Sequence, residues 1–148
     1  MDWNTLAIVM QIILVIWFAF THWIPLPPLN NLTKEAFSGE KQINLFMHTI
    51  QIVIISGFFL RIRQLILFGV VFWTIWFIGH IFSWWVPYFF GFPKVFLKDA
   101  VIDNAKTYHF LPSRGNHPIP DLNHCILGFL SLLTVIAVGI AAIEKILQ

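Results

Sequence analysis

Six histidines are the residues best suited to chemistry in this chain, and the stretch "HPIPDLNH" at 117–124 sets two of them around an aspartate. An imidazole can ligate a metal, hold a haem iron or move a proton near neutral pH. His117, Asp121 and His124 follow a His-x3-Asp-x2-His spacing, which offers imidazole and carboxylate ligands to zinc or iron. That spacing matches no strong metal motif such as His-Glu-x-x-His. A plainer role stands beside it: Pro118 and Pro120 hold the backbone extended, and Asp121 is placed to cap a helix that starts behind it. Cys125 adjoins His124, but neighbouring helical residues point about 100° apart, so the two form no nucleophile and base pair by adjacency. Ser83 and Ser131 sit in no nucleophile motif.

The elements that must position these groups are apolar. Of 148 residues, 58% are hydrophobic and 11% charged, against about 25% charged in a soluble domain. Runs at Leu6–Ile24, Ile43–Leu60, Leu65–Phe90 and Cys125–Ile143 each approach or exceed the roughly 18 residues that cross a bilayer. The expected fold is therefore an all-α integral membrane protein, a four-transmembrane-helix bundle forming one domain over 1–148. The spans fall at about 5–25, 43–61, 65–87 and 122–145. "PLPP" at 25–28 ends the first helix, and "RIRQ" at 61–64 makes a tight turn between the second and third. Pro87 marks the end of the third, with Trp84, Trp85 and Tyr88 as an interfacial aromatic belt. At about 94–108, Phe96, Leu97, Ala100, Val101, Ala105 and Tyr108 share one helical face and charged residues the other, which predicts an amphipathic interfacial helix between the third and fourth spans.

Four spans put both termini and the "RIRQ" turn on one face, side A, and the two longer loops on the other, side B. Arg61, Arg63 and Lys145 fall on side A, while Lys34, Lys41, Lys94, Lys98, Lys106 and Arg114 fall on side B. The larger number favours side B as cytoplasmic and the dense short turn favours side A, so the two signals oppose each other. The expected location is a plasma (cytoplasmic) membrane, with lipids as neighbours. A formal net charge of +2 gives no basis for nucleic-acid binding.

In this topology every histidine lies toward side B. His22, His48, His80 and His124 come one from each span, and His109 and His117 lie in the loop. Asn44, His48 and Gln51 share one stripe, His80 and Ser83 another, Gln11 and His22 a third, and His124, Gly128 and Ser131 a fourth. A polar, histidine-lined pocket near side B is expected, because lipid offers polar groups no partner.

Three functions fit this pattern. The first is a membrane-embedded metal-dependent enzyme acting on a lipid or other apolar substrate. Its zinc or iron would draw ligands from His22, His48, His80, Asp121 and His124, with Asp121 and His117 as catalytic groups. The second is single-haem electron transfer with His48 and His80 as the cofactor ligands, which lie at similar depths of roughly 10 Å. The third is a non-catalytic subunit of a larger membrane complex, or a small-molecule binder whose histidine layer fixes helix packing.

Overall fold

A computed structural model describes residues 2–32, 34–92 and 106–147. The described chain is helical, with α1 at Trp3–Trp23, α2 at Lys34–Phe59, α3 at Arg63–His80, a π-helical turn at Ile81–Trp85, α4 at Val86–Phe90 and α5 at Leu122–Leu147. Among the described residues, four helical stretches are long and apolar enough to cross a membrane: Trp3–Trp23, Lys41–Phe59, Arg63–Phe90 and Leu122–Leu147. Neighbours pack in the ring α1, α2, α3, α5, with α5 closing back onto α1.

The burial pattern inverts that of a water-soluble bundle. Gln11, Gln51, Ser131 and Thr134 are buried, whereas Ile16, Phe59, Ile75 and Phe129 are exposed. Such a surface fits a membrane protein, in which the apolar residues face lipid and the polar ones find partners inside. On α1 the buried residues are Ala7, Gln11, Leu14, Phe18 and Thr21, a stripe of alternating four- and three-residue steps. α5 is the most enclosed span, and its small residues Gly128, Ser131, Ala137 and Ala141 let neighbouring helices approach closely.

The helix ends explain the loops. Asp2 caps α1 through the Thr5 amide at 2.7 Å. At the other end of α1 the Asn30 side chain folds back, donating to the carbonyls of Thr21 at 2.6 Å and Ile24 at 2.8 Å. Its Oδ1 also accepts the Leu26 amide at 2.7 Å, and the two donated bonds satisfy carbonyls that the "PLPP" backbone cannot serve. Arg61 closes the turn between α2 and α3 at φ 56°, a left-handed position usually given to glycine.

Two helices run further at one end than the expected spans. α2 is helical from Lys34, a chain position well before 43, although its membrane-length apolar stretch starts at Lys41. The third span does not end at Pro87: the helix passes through it to Phe90 and stops at Gly91, φ 70°, whose amide bonds the Pro87 carbonyl at 2.9 Å. The π turn just before Pro87, where the Val86 amide reaches the Ile81 carbonyl, shifts the hydrogen-bond register and accommodates the proline. The expected interfacial helix at 94–108 lies outside the described residues up to 105, and residues 106–108 form a turn and loop.

The α2–α3 turn offers a test of the packing. A Cβ on Gly57 would fall 2.2 Å from Leu65 Cβ, whereas one on Gly139 would meet nothing within 4 Å. Gly57→Ala is expected to destabilise the bundle by about 1–3 kcal/mol, the scale of overpacking. Gly139→Ala should be neutral or stabilising by up to about 1 kcal/mol. Thermal unfolding in mild detergent distinguishes the two.

Candidate functional site: a histidine centre at side B

The first turn of α5 builds the centre. Asp121 is 2% exposed, and its Oδ1 accepts the His124 amide at 2.9 Å, making it the cap of the helix. The same Oδ1 accepts the His124 Nδ1–H at 2.6 Å. One carboxylate oxygen therefore starts the helix and orients the imidazole. Burial pushes the Asp121 pKa up, but the hydrogen bond and charge of His124, its amide and the Thr107 hydroxyl outweigh that and hold the pKa below the ordinary 3.8. Asp121 stays a carboxylate, and with Nδ1 committed to it His124 has Nε2 as its other ring nitrogen.

The other helices close around this pair. Trp84 stacks on His124 with ring centroids 3.5 Å apart and planes 28° apart. His80 lies nearly parallel to His124 at 6.2 Å, and its Nε2–H donates to the His124 carbonyl at 2.9 Å. On the far side, the His22 Nδ1–H is shared between the Phe18 carbonyl at 3.0 Å and the Thr21 hydroxyl at 3.2 Å. The His22 ring packs on Phe18 with centroids 4.1 Å apart. His48 packs its ring 5.0 Å from Phe18, and its Nδ1–H donates to Gln51 Oε1 at 3.0 Å. The side-B ends of the four long helices thus carry His80 paired with His124, and His22 and His48 around Phe18.

His117 is placed elsewhere. Its Nδ1–H donates to the Tyr88 carbonyl at 2.9 Å, and its ring rests where a Cβ on Gly91 would meet Nε2 at 2.7 Å. It anchors the loop to the end of α4. Tyr88 is 3% exposed and donates its hydroxyl to the Pro112 carbonyl at 3.0 Å, so it is a buried loop anchor and no part of an interfacial belt. Arg114 lies over the Tyr88 and Phe89 rings at 5.4 and 5.0 Å. The loop is tied to α1's exit by the Tyr108 amide on the Pro28 carbonyl and to α5 by the Leu122 amide on the Tyr108 carbonyl, both at 2.9 Å. His109 stands in this strap, with Nε2 3.3 Å from the Thr107 hydroxyl.

Among the described residues, no three His, Cys, Asp or Glu side chains gather closely enough to hold one metal ion. The expected five-residue ligand set therefore does not assemble in this arrangement. His48 and His80 belong to opposite ends of the group, His48 against Phe18 and His80 on α5. Phe18 of α1 packs 5.0 Å from His48 and 4.9 Å edge-on from Trp76.

An apolar groove of about 290 Å³ runs beside the centre, lined by Phe77, Ile81 and Trp85 on one side and Cys125, Phe129 and Leu132 on the other. Gly128 forms its floor: a Cβ there would fall 2.8 Å from His80 Nε2 and 3.1 Å from Trp85 Nε1. The groove thus ends against the polar edge of the centre. Cys125 directs its thiol to the Pro120 carbonyl at 3.9 Å.

Several contributors escape sequence reasoning. Trp84 stands four residues after His80, a spacing that signals a shared face only if the helix is regular, and the π turn breaks that regularity. Asn123, which accepts the Trp17 indole N–H at 3.0 Å and sets α5 against α1, gives no pattern of its own. No protein-family model, no curated protein and no solved structure matches this chain.

The Asp121 pair has a pH signature. A carboxylate whose folded pKa is depressed stabilises the fold fully above its unfolded value, here the ordinary 3.8, and loses that contribution as pH falls through the lower folded value. The melting temperature of the wild type should exceed that of Asp121→Asn above about pH 4, and the margin should shrink as pH falls below that. A margin unchanged at lower pH would show that the carboxylate charge contributes nothing.

Proposed function

We propose that the bundle lies across a membrane as an enzyme, with His124 as its proton-transferring group and a lipid or other apolar molecule as its substrate. The observation that carries this is the 2.6 Å hydrogen bond from His124 Nδ1–H to Asp121, which orients the ring and leaves Nε2 to act as base or acid. Trp84 fixes the ring plane, and the carboxylate stabilises the imidazolium formed when Nε2 accepts a proton. The groove between the third span and α5 supplies an apolar approach that opens laterally, toward the surface that lipid would cover.

The test uses the full chain in detergent with a total lipid extract, analysed by mass spectrometry before and after incubation. Wild type should convert one lipid class. His124→Gln should lower that conversion by about 100-fold or more, the scale of general acid–base catalysis, and Asp121→Asn should also weaken it. Leu132→Trp, which narrows the groove away from the histidines, should slow conversion with His124 intact. Wild type that changes no lipid class would contradict the enzyme reading and favour a subunit or ligand-binding protein.

A metal-dependent version has its own support. His22, His48 and His124 each commit Nδ1–H to an oxygen, those of Phe18, Gln51 and Asp121, which leaves three Nε2 atoms. Ligating imidazoles are oriented by this kind of outer hydrogen bond. The rings would have to turn inward to meet one ion. Zinc there would activate water, and iron would favour oxidation. Near-stoichiometric zinc or iron in untagged protein, lost in His48→Ala, is the expected result of this version; a metal-free protein that converts lipid would dismiss it.

A further inference from the structure

Below the histidine centre, the middle of the bundle carries a second polar layer. Part of it is paired: the Trp73 indole N–H donates to Gln11 Oε1 at 2.9 Å, Gln11 Nε2 donates to the Ala7 carbonyl at 3.1 Å, and the Thr134 hydroxyl donates to the Met10 carbonyl at 3.4 Å. Part of it is not. Gln51 is 0% exposed and Ser131 1% exposed, yet Gln51 Nε2 and Ser131 Oγ have no hydrogen-bond partner among the described residues, and neither has the buried His48 Nε2.

Cross-helix contacts put these groups at one depth. Phe18 beside His48 and Asn4 beside the Phe58 carbonyl set α2 against α1, while Trp17 on Asn123 and Thr134 on Met10 set α5 against α1. Both registers place Gln51 and Ser131 opposite the Gln11–Leu14 turn, within roughly one helical turn of each other. Their chemistry is complementary to water. The Gln51 amide donates, the Ser131 hydroxyl donates or accepts, and His48, with its proton on Nδ1, accepts at Nε2. A buried site with two to four such partners is what an internal water requires. Toward side A the interior is closed by the buried Ile54, Phe58 and Val138, and the hydrogen bond from His48 to Gln51 links this layer to the side-B histidines.

We infer that Gln51 and Ser131 bind internal water in a hydrated chamber at the middle of the bundle, joined to the side-B centre through His48. The chamber is a water-binding site separate from the apolar groove. It lets water reach the histidines from within the protein while an apolar molecule arrives from lipid. It stands whether or not the chain is an enzyme, since its ligands are satisfied by water alone.

The test is solid-state NMR of the full chain, labelled with 15N-glutamine, in lipid bilayers. The Gln51 side-chain amide, identified by its disappearance in Gln51→Leu or its shift in Ser131→Ala, should receive magnetisation directly from water and exchange with D2O faster than that of Gln11. Ser131→Ala should weaken the water transfer to Gln51 by about twofold or more through loss of one water ligand. A Gln51 amide with no water transfer, as protected as that of Gln11, would overturn the chamber. Transfer unchanged in Ser131→Ala would overturn the site as assigned.

Discussion

The hydrogen bond between Asp121 and His124 is the contact on which the side-B end of the molecule depends. It ends a proline-stiffened loop, caps the helix that closes the bundle, and fixes the ring on which Trp84 stacks. The carbonyl of the same His124 receives His80, so α3 and α5 are joined at the residue whose ring Asp121 orients. Removing the carboxylate would disturb capping, ring orientation and helix packing together. Such coupling makes the first turn of α5 rigid enough to hold a reactive group, a general requirement of a preorganised site.

The second constraint is the solvent. A bundle whose outer surface is Ile, Leu and Phe gathers its polar groups inside, and this chain arranges them in two layers. The upper layer holds the ionisable groups, and the lower holds amides, hydroxyls and an indole. Side chains also bond to backbone of other elements: Asn30 to the end of α1, Thr134 to α1, and His117 to α4. These bonds cross between elements and so fix register where apolar packing alone would let helices slide.

Much of this was legible in the sequence, for physical reasons. Span-length apolar runs identify the four long helices, and the i, i+4, i+7 spacing of Asn44, His48 and Gln51 marks a stripe in which Asn44 and Gln51 are buried. Asp121 as a cap follows from its place after two prolines. What stayed hidden depends on tertiary register. Pro87 reads as a helix end, and only the π turn before it shows how the helix continues. His117 reads as a partner of Asp121 and His124 four and seven residues away, but the loop instead turns it onto the Tyr88 carbonyl. Equal depth suggested that His48 and His80 face each other, whereas Phe18 occupies the space beside His48 and the His124 carbonyl takes His80.

Imidazole tautomers test the centre most directly, because each acceptor oxygen dictates which nitrogen holds the proton. In water the neutral ring prefers the proton on Nε2, and a carbonyl or carboxylate opposite Nδ1 reverses that preference. Nitrogen-15 NMR of the histidines in bilayers should find His22 and His124 protonated on Nδ1 and His80 on Nε2. His124 carrying its proton on Nε2 alone would contradict the centre, since the bond to Asp121 could not then exist.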